Sequence, residues 1–202
     1  MKQYLMCSGG KDSMASAILC YKNGVHLDGI VTAEIMFSHE KNISAEHPEH
    51  IKWFYEIAKP TLEQTFKYNV IVLKIKLDYV TWFNTRIWRS SKPERIGKKH
   101  GFVLSGNLCA LKRDCKIKVV NDWCRSQGEF IKILGIAYDE EERLASVHKQ
   151  QNAWSILEQE KITEPMTFDI CREYNLLSPF YSSGRDRQGC WFCPNASIAE
   201  MA

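Results

Sequence analysis

The chain has 202 residues, long enough for one α/β domain with a full hydrophobic core and too short for two comfortable ones. Apolar residues make up 45% and charged residues 25% of it, which is typical of a globular protein and excludes wholesale disorder. A net charge of +3 is too small to indicate nucleic acid by itself, no apolar run is long enough to cross a membrane, and the N-terminus turns polar too soon for a signal peptide. We therefore expect a cytoplasmic protein, whose clustered cysteines bind metal or act in redox chemistry rather than form disulfides.

The hydrophobic pattern predicts strands that alternate with helices. The predicted strands are residues 4–7, 26–37, 70–73 and 130–136. The predicted helices run from residue 14 to a stop at Asn23-Gly24, over 48–66 with a bend at Pro60, and over 79–88, 108–124, 140–151 and 167–175, before irregular chain at 177–195. This order implies a parallel sheet with helices on both faces. We expect one domain over 1–202, with residues 150–202 as an appendage that folds back on the site.

A glycine-containing loop lies between the first predicted strand and the first helix. It consists of Ser8, Gly9, Gly10, Lys11, Asp12 and Ser13. The glycine pair lets backbone N–H groups turn toward a phosphate, and the helix that follows presents its positive end to the same anion. The spacing differs from that of Gly-x-x-x-x-Gly-Lys-Ser/Thr and of Gly-x-Gly-x-x-Gly loops. The loop therefore predicts a phosphate site of another kind.

The string SGGKDS resembles the pyrophosphate-binding loop of the PP-loop, or ATP pyrophosphatase, superfamily. The resemblance implies an adenine-nucleotide α-hydrolase-like (Rossmann-like) fold and cleavage of ATP between its α- and β-phosphates, with the loop holding the departing pyrophosphate. Mg²⁺ commonly assists this reaction. Lys11 and Asp12 are then candidate catalytic residues, although Asp12 also suits a helix-capping role.

Two further segments resemble the phosphoadenosine phosphosulfate reductase family of that superfamily. Residues 133–140 with Arg143 are similar to its Gly-Ile-Arg-x-Asp-Glu-x-x-Arg block, and residues 166–194 to its closing Gly-Cys-x-x-Cys-Pro segment. The resemblance implies nucleotide contacts from Gly135 and Arg143. Ala137 stands where that family has Arg. The sequence also lacks the Glu-Cys-Gly-Leu-His segment of sulfonucleotide reductases, although a truncated chain would lack it too. The intact SGGKDS loop favours ATP over adenylyl sulfate.

The cysteines offer a possible metal site. Cys190 and Cys193 form a Cys-x-x-Cys pair, which is compatible with a dithiol, a zinc site or an iron–sulfur site. Iron–sulfur members of the similar family place further cysteines in the helical region that holds Cys109 and Cys115, around one cluster. On a continuous helix a spacing of six leaves these two thiols roughly 120° apart, so a break or bend is needed to bring them together. A 4Fe–4S cluster, a zinc ion and no metal all stay open.

Several charged residues are candidate ligands, each with a structural alternative. Arg113, Lys116 and Arg185 are candidates for binding a polyanionic substrate, or are solvated cations. Glu34 lies inside the predicted strand 26–37, where a buried carboxylate needs a partner, and is a candidate ligand at the adenosine or metal end of the nucleotide site. Asp139, a candidate catalytic residue, follows the predicted strand 130–136 at the edge where open α/β sheets bind ligands, although it equally suits a helix cap. The basic stretch 86–99 is either a solvated loop or a cover over an anionic substrate.

The sequence thus predicts an adenine-nucleotide-binding enzyme that adenylates a substrate, for sulfur transfer among other uses. One alternative is a sulfonucleotide reductase, in which Cys190 or Cys193 would attack the sulfur of adenylyl sulfate. Another is a regulator that binds nucleotide or nucleic acid without catalysis, or a protein of the DNA-phosphorothioation type. The acceptor is expected to be a nucleic acid or a sulfur carrier, and an oligomer is possible.

Overall fold

The sheet at the centre of the molecule is parallel, as predicted. A computed structural model describes residues 1–102, 109–184, 189–193 and 196. In this part of the chain the sheet contains β1 (Lys2–Met6), β2 (Gly29–Glu34), β5 (Val70–Lys74), β6 (Phe130–Leu134) and β7 (Ala153–Trp154). The strand order is β5-β2-β1-β6-β7. From the central β1 the chain adds β2 and β5 on one side, and it then returns to add β6 and β7 on the other side. The crevice beyond the carboxyl ends of β1 and β6 is where such a sheet binds ligands.

The helices of the described chain are short, and turns of π and 3₁₀ type interrupt or join several of them. These helices are α1 (Lys11–Lys22), α2 (Pro48–Trp53), α3 (Tyr79–Asn84), α4 (Ala110–Lys112), α5 (Lys118–Ser126), α6 (Glu141–His148), α7 (Ile156–Gln159) and α8 (Glu164–Glu173). Turns of π type continue α2 over Phe54–Ala58 and Thr61–Thr65 and join α4 to α5 over Arg113–Ile117, and 3₁₀ turns cover Pro93–Arg95 and Pro179–Ser183. None of these helices is long and apolar enough to cross a membrane.

Helices cover both faces of the sheet. On one face α1, α2, α7 and α8 enclose a core that includes Leu5, Ile18 and Leu157, all fully buried. On the other face α3, α4 and the π turn pack around Trp82 and Leu111. Here Trp123 of α5 also meets Tyr4 of β1 edge-on, with ring centroids 5.1 Å apart. The fold class expected from the sequence is therefore confirmed.

The second strand is shorter than the predicted span 26–37. It ends at Glu34, and the chain then forms an antiparallel hairpin of β3 (Met36–Ser38) and β4 (Ile43–Ser44). The apolar run continues through both elements because both are buried, so hydrophobicity alone does not show where one ends.

Other boundaries also differ from the prediction. The helix expected at 79–88 ends at Asn84, because Thr85 is extended and Arg86 bridges to Lys99. The helix expected at 108–124 runs from Ala110 to Ser126. The helices expected at 140–151 and 167–175 are α6, which ends three residues earlier, and α8, which begins three residues earlier. The short elements β7 and α7 were not predicted.

The end of the described chain folds against the β3–β4 hairpin. The Trp191 N–H donates to the Ala45 carbonyl over 3.0 Å, and its indole N–H donates to the Ser44 carbonyl over 3.1 Å. Phe192 packs edge-on against Phe37. These contacts bring Cys190 and Cys193 to the face of the sheet that carries α4.

Candidate functional site

The predicted loop connects β1 to α1. Gly9 has a φ of +79°, and a Cβ there would lie 2.9 Å from the His50 ring, so both its conformation and its space require glycine. The Ser13 hydroxyl donates to the Gly10 carbonyl over 2.9 Å and accepts from the Ser8 N–H over 3.2 Å. The first N–H groups of α1 have no partners within the helix and form the positive end of its dipole. The geometry of the loop suits an anion at this position.

Gly135 supports the loop from the end of β6. A Cβ at this position would lie 2.7 Å from the Ser13 nitrogen and 2.8 Å from the Asp12 carbonyl carbon. The backbone of α1 therefore rests directly on Gly135, with no room for a side chain. This contact gives a physical reason for glycine at a position that the family resemblance singled out.

A cleft of about 440 Å³ opens beside the loop, at the crevice between β1 and β6. Its apolar part is lined by Met6, Val31, Ile117, Val120 and Leu134. Four cations also line it: Lys112, Lys116, Lys132 and Arg143. An apolar surface beside a cationic rim suits a ligand with a flat base and several phosphates.

Lys11 and Asp12 lie at the loop but have different surroundings. The Lys11 side chain is 4% exposed, and its ammonium lies 2.7 Å from Glu164, 3.1 Å from Asp12 and over the Phe168 ring. It therefore faces α8 and is not among the cleft-lining side chains. Burial would lower the pKa of Lys11, but the Glu164 and Asp12 carboxylates hold it above its ordinary value.

The Asp12 carboxylate lines the cleft and accepts from the Thr167 hydroxyl over 3.1 Å. Burial raises its pKa, and the adjacent Lys11 ammonium offsets only part of this effect. Its position fits the way in which Mg²⁺ is usually held in proteins, by one or two carboxylates together with substrate phosphates.

Lys116 connects the cleft to the C-terminal segment. Its ammonium is 3.2 Å from the buried Glu46 carboxylate. Burial would lower its pKa, but Glu46 and the nearby Cys190 thiol hold it above its ordinary value. Glu46 in turn bridges to Cys190 through its backbone. Lys116 is therefore a cation held in place at the cleft wall.

A smaller cavity lies next to the loop and holds Glu34. The Glu34 carboxylate is buried and accepts from the Tyr55 hydroxyl over 2.6 Å, which meets the cost of burying it at the end of β2. Ser8 and His50 also line this cavity. The His50 Nδ1 is 2.9 Å from the Ser178 hydroxyl, and burial lowers the pKa of His50 to about 4.

The remaining charged candidates are spread over the surface. Arg143 lines the cleft and pairs with Glu140. Asp139 is exposed, and its carboxylate accepts from the Glu164 N–H over 2.9 Å, so it caps α8 rather than the helix that directly follows it. Arg113 is 68% exposed and pairs with Asp114, outside the cleft lining. Arg185 lies outside the described residues.

Three of the four candidate metal-binding cysteines, Cys109, Cys115 and Cys190, lie at one apolar cluster. Cys109 is the N-cap of α4 with an extended backbone, and Cys115 lies in the π turn, so no continuous α-helix separates them. The apolar cluster around Leu111 contains Cys115, with Cys109 and Cys190 packed against it. Burial raises the pKa of both Cys115 and Cys190 to about 12, with a further contribution from the Asp114 carboxylate at Cys115 and from the Glu46 carboxylate at Cys190.

Cys193 follows one turn later, where its N–H donates to the Cys190 carbonyl over 2.9 Å. The donor set thus has the chemistry of a cluster or zinc site. Within the described ranges, no three His, Cys, Asp or Glu side chains are arranged closely enough to hold a metal ion.

Two solved structures share the α/β fold of this chain. The U34-tRNA thiolase NcsA from Methanococcus maripaludis, solved with its [4Fe-4S] cluster, is 12% identical with a TM-score of 0.54, over 99% of this chain and 61% of that one. The phosphoadenylyl-sulfate (PAPS) reductase from Candida auris, solved as a phosphate complex, is 11% identical with a TM-score of 0.55, over 96% and 83%.

Both neighbours are named as enzymes, a thiolase and a reductase, and this chain has the fold that they share. The chain spans about three fifths of the thiolase. No family model and no curated protein sequence matches the chain.

Several residues at the site were not singled out from the sequence as ligands. His50 and Glu46 approach the loop and Lys116 from the segment after β4, and Lys112 and Lys132 line the cleft. Tyr181 accepts the Lys11 N–H over 3.1 Å. Lys132 was detectable, because a lysine inside the apolar run of a predicted strand is unusual. His50 had no such signal, since its partner Ser178 is 128 residues away.

Proposed function

We propose that the protein is an enzyme that binds ATP in the cleft and cleaves it between the α- and β-phosphates to adenylate an acceptor. The observation that supports this most is the position of the loop. Its N–H groups and Ser13 hydroxyl lie at the mouth of a cleft that is lined by cations and apolar side chains. The loop and the cations suit the triphosphate, while Val31 and Leu134 suit the base.

The position of each residue at the cleft suggests its role in binding ATP. The first turn of α1 would hold the β- and γ-phosphates, and Lys116 would stabilise the charge that develops on departing pyrophosphate. Asp12 would hold Mg²⁺ against the phosphates, where the ion offsets their charge. Arg143, which lines the cleft and pairs with Glu140, would contact a phosphate of the bound nucleotide.

The reaction is tested with ATP that carries label in the α-phosphate, in the presence of Mg²⁺ and candidate acceptors. Release of labelled AMP, or formation of a labelled adenylyl adduct, together with pyrophosphate supports the proposal. Release of ADP, or ATP binding without turnover with every acceptor, contradicts it. A parallel incubation with adenylyl sulfate and a thiol reductant tests the alternative, for which Cys190 lies beside the cleft-lining Lys116. Sulfite production would favour that alternative.

Lys11 remains our proposed phosphate ligand, although its ammonium faces Glu164. In this proposal, ATP draws the ammonium from the carboxylate to a phosphate. Lys11→Ala should then weaken ATP binding at least tenfold, about 1.5 kcal/mol, since a hydrogen bond to a charged group is lost. Glu164→Ala removes the competing carboxylate and should not weaken it. Equal losses in the two variants would mean that Lys11 acts only by holding α8.

We also propose that Cys109, Cys115, Cys190 and Cys193 bind a 4Fe–4S cluster, or alternatively zinc. Support comes from the apolar cluster that Cys109, Cys115 and Cys190 share, from the position of Cys193 one turn after Cys190, and from the cluster in the similar thiolase. Bound metal would lower the pKa values of the Cys115 and Cys190 thiols, which burial now raises. Anaerobic purification with iron, sulfide and zinc analysis tests this. Cys→Ser changes at Cys109 and Cys190 should abolish the metal, whereas Cys124→Ser should not; absence of both metals from the unchanged protein would refute the site.

A further inference from the structure

Residues 86–99 form a surface hairpin, here called the basic hairpin. Arg86 bridges to Lys99, the Ile87 N–H donates to the Lys98 carbonyl over 2.8 Å, and the Gly97 N–H donates to the Ile87 carbonyl over 2.7 Å. The side chain of Ile87 is buried and anchors the hairpin to the body of the protein. The hairpin is therefore an ordered projection.

The cations of the hairpin are exposed and lack acidic partners. They are Arg86, Arg89, Lys92, Arg95, Lys98 and Lys99, with Glu94 as the single acidic residue of the segment. Arg86 donates to the Gly97 carbonyl and Lys99 to the Asn84 amide oxygen. Among the described residues, no carboxylate forms an ion pair with any of the six. Unneutralised cations this close together favour a polyanionic partner.

A large aromatic side chain projects from the same hairpin. Trp88 is 84% exposed, and Ile96 beside the 3₁₀ turn is 50% exposed. An indole ring that stands free among arginines and lysines offers a stacking surface for an unpaired base, while the cations contact the phosphates that flank it.

A series of contacts joins the residue after the hairpin to the π turn next to the cleft-lining Lys112. That residue, His100, stacks on Trp82 with ring centroids 4.5 Å apart. The Trp82 indole N–H donates to the Asp114 carboxylate over 3.4 Å. Asp114 lies between Arg113 and the cysteine region, two residues after the cleft-lining Lys112. These contacts fix the base of the hairpin beside the π turn that precedes α5.

We propose that the basic hairpin binds single-stranded nucleic acid, with Trp88 stacked on a base. This deepens the proposed function by naming the class of acceptor, although binding by the hairpin does not itself require ATP cleavage. An anionic membrane is a poorer fit, because the exposed apolar surface amounts to a few side chains on a hairpin and forms no amphipathic helix.

The test measures fluorescence anisotropy of labelled single-stranded RNA, the same sequence as single-stranded DNA, and duplex DNA, with the full-length protein over a range of salt. Arg89, Arg95 and Lys98 are changed together to Gln; Lys2, Lys52 and Lys149, which are exposed elsewhere, form the matched control. The hairpin variant should bind single strands at least tenfold more weakly, and its salt slope should fall by about 2, because each single-strand phosphate contact contributes about 0.7. The control should keep both.

Trp88→Ala should weaken single-strand binding roughly 5- to 150-fold, and Trp88→Phe should largely restore it, since stacking needs a flat ring. Equal affinity of the hairpin and control variants, duplex bound as tightly as single strands, or tighter binding to phosphatidylserine vesicles would each overturn the proposal. ATP binding is measured on the same variants and should be unchanged. If the wild-type protein does not bind ATP, the proposed function is refuted, whereas the conclusion on nucleic-acid binding by the hairpin is unaffected.

Discussion

Gly135 is the residue at which the sheet touches the Ser8–Ser13 loop and the first turn of α1. A Cβ there would lie 2.7 Å from the Ser13 nitrogen, so Gly135→Ala must displace either β6 or the first turn of α1. We expect a loss of about 1–3 kcal/mol in unfolding free energy, as for other overpacked sites. ATP affinity should fall at least tenfold, because the displaced backbone N–H groups no longer face the phosphates together. Urea unfolding and ATP titration measure the two effects.

A matched glycine separates these effects. Gly128 has a φ of +89° and open space around its Cβ position, far along the chain from the loop. Gly128→Ala should cost about 1–2 kcal/mol through backbone strain alone and leave ATP affinity unchanged. If Gly135→Ala binds ATP as well as Gly128→Ala does, Gly135 does not position the loop.

His50 makes the stability of the loop region depend on pH. Burial lowers its pKa to about 4 in the folded protein, against about 6.5 when unfolded. The neutral ring therefore contributes stability above about pH 6.5, and this contribution declines as the pH falls toward the folded pKa. Between about pH 7.5 and pH 5 the loss should be about 2 kcal/mol. Urea unfolding at the two pH values should show it.

His50→Gln supplies the comparison for this titration. Glutamine retains an amide that can bond the Ser178 hydroxyl, which lies 2.9 Å from the histidine ring, but it does not titrate. The variant should be less stable at neutral pH and lose about 2 kcal/mol less than the wild type on acidification. Parallel pH profiles for the two proteins would show that another group titrates.

At the scale of elements, Asp78 joins α3 to the β3–β4 hairpin. One carboxylate oxygen accepts from the Thr81 N–H as the N-cap of α3, and the other accepts from the His39 N–H, each over 2.7 Å. Asp78→Ala should cost about 2–4 kcal/mol, through the lost cap and an unsatisfied N–H. Asp78→Asn, which keeps one acceptor oxygen, should cost about half as much in urea unfolding. Equal costs would mean that the charge, and not the two hydrogen bonds, is what stabilises the junction.

Local sequence predicted the elements that carry the site and missed their irregularities. The strand, loop and helix around Ser8–Ser13 follow from a buried run, a glycine pair and a helical pattern, all adjacent in sequence. The π turn at Arg113–Ile117 does not, because no residue type requires one. Its absence from the prediction made Cys109 and Cys115 seem to diverge. Likewise, the contact between Gly135 and α1 joins segments more than 120 residues apart.

At the scale of the molecule, the reversal of strand order places the loop where both halves of the sheet contribute to one cleft. Met6 and Val31 come from the first half, and Lys132 and Leu134 from the second. The second half also supplies Gly135 beneath the loop. Parallel alternation predicted such a crevice, but only the strand order β2-β1-β6 identifies which strands flank it.

The cleft should make the stability of the whole molecule depend on the length of the phosphate chain. A ligand that binds only the folded state at about 100 times its Kd stabilises it by about 2.7 kcal/mol, which corresponds to a rise in Tm of about 5–11 °C for a chain of this size. ATP with Mg²⁺ should give such a rise, pyrophosphate a smaller one and AMP the smallest at equal concentration, because the loop and Lys116 contact the terminal phosphates in our proposal. Lys116→Gln should reduce the response to ATP and pyrophosphate while leaving that to AMP, whereas Lys22→Gln at the far end of α1 should change none of them. Thermal unfolding with each ligand measures this order. A rise with AMP that equals the rise with ATP would show that the loop does not hold pyrophosphate.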